Sequence, residues 1–148
     1  MADAVIDRID PNDSTTIAHL YNQVFKPERD EAFFVRRLSN RNSPLVLVAR
    51  IKNEAVGFFV GMELRPGVYF SWVTGVFPDA RRMGIATQLM CAAADWAKAE
   101  GYRTIRFECT NQHRPMLHFG IEQDYNIVGI RFDGETNENM IIFERPLA

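Results

Sequence analysis

Three apolar runs separated by tight turns do most to limit what this chain can fold into. They are Leu45 to Ile51, Ala55 to Leu64 and Val68 to Phe77, with Lys52-Asn53-Glu54 and Arg65-Pro66-Gly67 between them. Aliphatic, β-branched and aromatic residues dominate each run, and the breaks carry turn residues, so the pattern predicts three strands. Apolar side chains fall on both faces of the runs, which marks central strands that need helices on either side. Connections this short permit only an antiparallel meander.

The flanking segments supply the cover. Ala4 to Ile9 reads as a first strand ending at Pro11. Asp13 or Ser14 can cap a helix with Ile17, Leu20, Tyr21, Val24 and Phe25 on one face, and Pro27 ends it. A second short helix is expected to turn Phe34, Val35 and Leu38 inward and Arg36-Arg37 outward. From Gly84 the period becomes helical, with Ile85, Leu89, Ala92, Ala93, Trp96 and Ala97 on one face and Gly101 as a left-handed stop. Thr104 to Thr110 returns as a strand with Ile105, Phe107 and Cys109 on one face, which makes Val68 to Thr110 a right-handed parallel crossover. A short helix begins near Arg114 or Pro115 and covers Met116 to Ile121. Ile127 to Phe132 and Met140 to Arg145 then close the chain as a hairpin around Asp133-Gly134. The expected fold is α/β (α+β), in the order β-α-α-β-β-β-α-β-α-β-β. It has a mixed, mostly antiparallel sheet with helices on both faces.

The 148 residues contain no repeat, low-complexity tract or linker, so residues 1–148 read as one domain. A formal net charge of −2 argues against a nucleic-acid protein. The start, MADAVIDRIDP, carries acids where a secretory signal needs a basic end, and no apolar run reaches the length of a membrane span. The expected compartment is the cytoplasm, with no membrane partner. Cys91 and Cys109 have no metal-type spacing and read as small buried hydrophobes, and no metal is expected.

Chemistry concentrates between Val73 and Leu89. Arg81-Arg82-Met83-Gly84-Ile85-Ala86 links the third strand to the long helix, and Thr87 adds a hydroxyl at the helix start. A basic loop at a helix N-terminus aims unpaired N–H groups and guanidiniums at one volume, which suits a phosphate or pyrophosphate. Small residues at 84 and 86 let a ligand approach the backbone. The loop lacks the second glycine and the Lys-Ser/Thr pair of a P-loop, and it has one of the three glycines of the dinucleotide fingerprint.

With Arg81-x-x-Gly84-x-Ala86 after a central strand, and a strand leading to Asn111 and a short helix ending at Asp124-Tyr125, the chain resembles the GNAT-type N-acetyltransferases along its whole length. That resemblance implies transfer of an acetyl group from acetyl-CoA, the co-substrate, to the primary amine of a small molecule or peptide by direct transfer. It implies that Val76 and Phe77 offer main-chain bonds to the pantetheine. It also implies that Arg81, Arg82, Met83, Gly84, Ile85 and Ala86 wrap the pyrophosphate with Thr87 beside them, and that Asn111 faces the pantetheine arm. The main-chain N–H of Val76 would hold the oxyanion.

The acceptor side departs from the family pattern. Many relatives place a glutamate on the central strand as base, yet Ser71 to Phe77 contains no acid. Glu63, near the end of the preceding strand, and Glu108, across the gap, are the substitutes. Glu108 shares its face with Arg106 and reads equally as an ordinary ion pair. Counting back from Tyr125, the tyrosine that often protonates the departing thiolate is replaced by Gly120, with His118 two residues away and Tyr125 itself a weaker candidate. Glu28, Asp30 and Glu31 beside Phe33 and Phe34 would suit a cationic amine, or are a solvated turn followed by core phenylalanines. The missing acid and tyrosine also fit a non-catalytic acyl-CoA-binding regulatory module. The exposed edges of the final hairpin are available to pair with another subunit as a homodimer.

Overall fold

The computed structural model describes residues 3–147. Its elements are β1 (Val5–Ile9), α1 (Ser14–Asn22), α2 (Glu31–Leu38), β2 (Leu45–Ile51), β3 (Glu54–Arg65) and β4 (Val68–Val76). A 3-10 turn (Pro78–Ala80) then leads to α3 (Ile85–Ala99), β5 (Thr104–Thr110), α4 (Arg114–Glu122), β6 (Asn126–Asp133) and β7 (Glu138–Pro146). The strands form one seven-stranded sheet in the order β1-β2-β3-β4-β5-β7-β6. Every pairing is antiparallel except β4 with β5, so the expected architecture holds. No helix among the described residues is long and apolar enough to cross a membrane.

Two cores sandwich the sheet. On one face α3 and α4 bury Tyr69, Leu89, Met90, Phe107, Phe119 and Phe143. On the other, α1 and α2 bury Ile17, Leu20 and Phe34 against Val46, Val48, Phe58 and Val60. Asp13 caps α1 by accepting from the Thr16 N–H at 3.2 Å, and Asp30 caps α2 by accepting from Phe33 N–H at 3.0 Å.

On α2 the expectation for two side chains fails. Val35 is 50% exposed, while Arg37 turns inward and places its Cζ 4.6 Å from the centre of the Trp72 ring. Helical geometry gives the reason. Phe34, Arg37 and Leu38 stand at i, i+3 and i+4 on one stripe, whereas Val35 lies about 100° away from Phe34.

One irregularity in the sheet sets the site. β4 and β5 pair over four positions only, from Val68↔Thr104 to Ser71↔Phe107. Directly afterwards β4 carries a bulge, because Ser71 faces Gly61 and Val73 faces Val60, leaving Trp72 as the extra residue. A bulge bends and twists its strand, so the C-terminal halves of β4 and β5 diverge. The parting is held by an aromatic stack in which Phe107 and Phe143 lie 4.7 Å apart and Tyr125 meets Phe107 edge-on at 4.9 Å. A Phe143→Ala substitution, which removes the fully buried ring stacked on Phe107, is expected to cost about 3–5 kcal/mol in urea denaturation.

Candidate functional site

The diverging strands open a cleft of about 590 Å³ that passes through the sheet. One wall is Thr74, Gly75 and Val76 of β4; a second is Pro115, Met116 and Phe119 of α4, with His113 just before them. Val24 and Phe25, past the end of α1, close it from the opposite face, and Arg81, Arg82, Gly84, Ile85, Ala86 and Thr87 form its floor.

Along β4 the main chain offers an unpaired edge. The Phe77 N–H donates to Val56 O at 2.8 Å, so residue 77 faces β3. Alternation then turns the N–H and C=O of Val76 and Thr74 toward the gap, beyond the last β5 partner. The Val76 carbonyl accepts from Arg81 Nε at 3.2 Å. Phe77 is therefore a correction to the expected ligand contacts. Its carbonyl accepts from the Ala80 N–H at 2.9 Å, so both of its main-chain groups are spent inside the protein.

The loop behind the strand is a concave donor surface. Arg82 has φ of 66° and Gly84 φ of 77°, two left-handed positions within three residues. For glycine the conformation costs little; for an arginine it costs about 1–2 kcal/mol. Gly84 is the N-cap of α3 with no capping side chain and no acid in the first turn. The first intrahelical bond is Gln88 N–H to Gly84 O at 3.1 Å, which leaves the N–H groups of Ile85, Ala86 and Thr87 without helical acceptors. Left-handed turns and an open helix start together make a nest for an anionic oxygen. Met83 differs from its neighbours: it packs against the α3-side core and does not line the cleft.

The predicted chemical residues scatter. Glu63 pairs with Tyr69, seven residues from Val76 along β4 and so roughly 23 Å from it at about 3.3 Å per residue. Its carboxylate accepts from Tyr102 Oη at 2.8 Å and from Asn42 Nδ2 at 3.2 Å, at the closed end of the sheet. His118 is exposed on the outer face of α4, and Asn111 is exposed outside the cleft lining. His113, which carried no expected role, reaches the cleft and caps α4 by accepting from Met116 N–H at 3.3 Å on Nδ1. Glu108 alone of the expected acids lies where the two strands part, level with Trp72, although it does not itself line the cleft. It is the first β5 residue past the last parallel pair, 9% exposed, and held by Arg131 Nε at 2.6 Å and Arg106 Nη1 at 3.7 Å.

Two further expectations meet the geometry. A Cβ at Gly120 would come within 2.6 Å of the Phe143 ring and 3.1 Å of Phe107, so a tyrosine there has no room. Burial pushes the Tyr125 phenol up to about 12 and the Cys109 thiol up to about 11, so both stay protonated at neutral pH. Of the acids near α2, Glu28 pairs with Lys26, Asp30 is spent as a cap and Glu31 accepts from the Thr15 hydroxyl. Among the described residues no group of three or more His, Cys, Asp or Glu side chains could hold a metal.

Sequence reading missed Thr74, Gly75, Ala80 and the α4 wall. Gly75 carried a signal: a glycine inside an otherwise bulky strand marks a close approach. A Cβ there would meet Phe58 at 2.5 Å and Phe25 at 3.0 Å.

Comparison with known proteins places this geometry. The family model described as the acetyltransferase (GNAT) family matches residues 14–120. No sequence among the curated proteins matches. Among solved structures, the ribosomal-protein-S18-alanine N-acetyltransferase of Escherichia coli superposes with a TM-score of 0.83 at 17% identity, covering 99% of this chain and 95% of that one. A GNAT family acetyltransferase from Elizabethkingia anophelis with acetyl-CoA bound gives 0.81 at 17% identity, with 99% of each chain covered. An IAA acetyltransferase from Bacillus cereus gives 0.80 at 22%, covering 97% and 99%. At such identities the likeness is one of fold.

Because Arg82 holds a left-handed conformation that glycine adopts without a Cβ penalty, Arg82→Gly is expected to raise the unfolding free energy of the ligand-free protein by about 1 kcal/mol in urea denaturation.

Proposed function

The chain belongs to the GNAT acetyltransferase family, and from that premise we propose that it carries an acetyl group from acetyl-CoA to the primary amine of a small molecule or peptide. The unpaired edge of β4 running into an open helix start is the observation that carries this reading. An extended amide-bearing arm can bond to Val76 and Thr74 as a surrogate strand, in the place β5 vacates. Its pyrophosphate then meets the N–H groups of Ile85, Ala86 and Thr87 and the guanidiniums of Arg81 and Arg82. Arg81 releases the Val76 carbonyl when it turns to the anion.

The reaction joins the amine nitrogen to the acetyl carbon and breaks the carbon–sulfur bond. An acceptor ammonium of pKa near ~10 must first lose a proton, and Glu108 is the acid we assign to receive it, directly or through water. The N–H of Val76, aimed at the gap, stabilises the oxyanion. With Gly120 in the tyrosine's place, the CoA thiolate leaves unassisted, which its pKa of about 8.5 allows. Neither cysteine serves as an acyl carrier, because burial raises both thiols above their ordinary value. Transfer is thus direct, within a ternary complex on a single domain spanning residues 1–148. Two free cysteines agree with a cytoplasmic setting.

The outer strand β6 exposes Ile127, Val128, Ile130 and Phe132 at 51–64% beside its unpaired main-chain edge. A second copy, added antiparallel about a two-fold axis, satisfies both features with one self-complementary patch. Light scattering on the eluted protein should give a dimer, and Phe132→Lys should shift it to monomer.

Acetyl-CoA is expected to raise the melting temperature, and Gly84→Glu to abolish that rise by putting a carboxylate in the nest. Release of free CoA thiol across a panel of amines then reads the transfer itself. Undiminished acetyl-CoA binding by Gly84→Glu would sink the site assignment, and binding without thiol release on any amine would sink the enzyme.

A further inference from the structure

Past the last parallel pair, the first side chains facing α2 are Trp72 on β4 and Glu108 on β5. Arg37 lies over Trp72 at 4.6 Å, and its Nε is buried without a hydrogen-bond partner. Among the described residues no carboxylate stands within ion-pair distance of it. The nearby acids are taken: Glu108 by Arg131 and Arg106, Glu144 by Arg106 at 2.8 Å. Arg37, Arg106 and Arg131 share two carboxylates, and Arg41 adds further positive charge, so positive charge is left in excess on this face, with Arg37 over Trp72 unpaired.

A second guanidinium repeats the pattern. Arg29 lies over Phe33 at 4.7 Å with its Nε also buried and unpartnered. Phe33 and Trp72 are 6.0 Å apart, so one aromatic pair is flanked by two stacked cations. Stacking occupies a guanidinium's flat faces and leaves its edge of N–H donors free, in the fork that matches an anionic oxygen pair. Desolvation, then repulsion from Arg41 and Arg131, holds Arg37 below its ordinary pKa, and the attraction of Glu108, which makes no ion pair with it, offsets this only in part. The acids that would have drawn a cationic acceptor are paired, spent in caps or exposed.

We infer that the acceptor amine carries an anionic oxygen group, bound by the Arg37 guanidinium, with its carbon skeleton against Trp72 and Phe33 and its amine beside Glu108. An amino acid has this chemistry, and so does an aminoalkyl phosphate. The inference rests on the acetyl-transfer reading.

Matched acceptors test it: aromatic and aliphatic amino acids, their neutral amides, the decarboxylated amines, and aminoalkyl phosphates, each read as kcat/KM from thiol release. The anionic compounds should exceed the neutral ones by about ten- to a hundred-fold, and the phosphates show which anion is preferred. Arg37→Gln should lower kcat/KM for the anionic acceptors by about that factor through KM, and leave the amides and acetyl-CoA affinity unchanged. Arg37→Lys should recover only part, and Arg36→Gln, on the exposed side of α2, should change nothing. Amides used as well as acids, or an Arg37→Gln loss equal for both, would overturn it while leaving acetyl transfer intact. Thermal shifts with N-acetyl amino acids and N-acetyl amides decide the matter where turnover is absent. Acid-specific stabilisation that Arg37→Gln removes supports the inference, and equal shifts for acid and amide refute it. A protein that ignores acetyl-CoA altogether would instead refute the transfer reading.

Discussion

The site depends on a ladder that stops early. After Ser71 and Phe107 the β4–β5 hydrogen bonds end, although both strands continue. Buried main-chain groups left without partners are costly, by about 1–3 kcal/mol each, so a closed sheet would be the better resting state for β4. Two features prevent closure. The bulge at Trp72 turns the strand, and the Phe143–Phe107–Tyr125 stack holds β5 to β7 on its far side. The resulting gap contains a hydrogen-bonding strand edge that an extended ligand can pair with.

The crossover connection then fixes what stands at the open end. A parallel pair requires its joining helix to begin near the C-terminal end of the first strand. The α3 N-terminus is thus delivered to the mouth of the gap by topology, and Gly84 with Arg82 shapes the turn. Under the proposed function, donor recognition is mostly a property of main chain: strand edge, nest and helix start. Side chains add charge, but Arg81 and Arg82 are exposed, where screening limits what each contributes.

That division explains what could be read from residues alone. Strand runs, helix faces and the Arg81–Ala86 loop were legible, because local periodicity and the needs of a tight turn leave marks in a few consecutive residues. Phe77 was misread because which main-chain edge faces the gap depends on β3 register, fixed by Val56. Glu63 was drawn in by position along the chain, whereas the nine residues of β4 separate its two ends by far more than any side chain can reach, and His118 was misplaced because it stands on the exposed face of α4. Arg37 was hidden for a different reason. Helix period places it on the Phe34–Leu38 stripe, but a charged residue reads as solvent-facing, and only the contact with Trp72 shows what its guanidinium covers.

The two sides of the gap accordingly follow different physics. On the donor side, many weak and solvated contacts add up along a backbone whose geometry any suitable sequence can provide. On the proposed acceptor side, Glu108 is largely withdrawn from water and Arg37 about half so, and the effective dielectric falls with burial, so each charge weighs more than on the open surface. Glu108 meets its partners within the protein; Arg37 does not. A desolvated cation whose counter-charge must come from outside discriminates between ligands more sharply than a solvated one, because leaving it unpaired carries its own penalty. If the inference about Arg37 holds, selectivity among acceptors resides in α2 and the face of β4 and β5 below it.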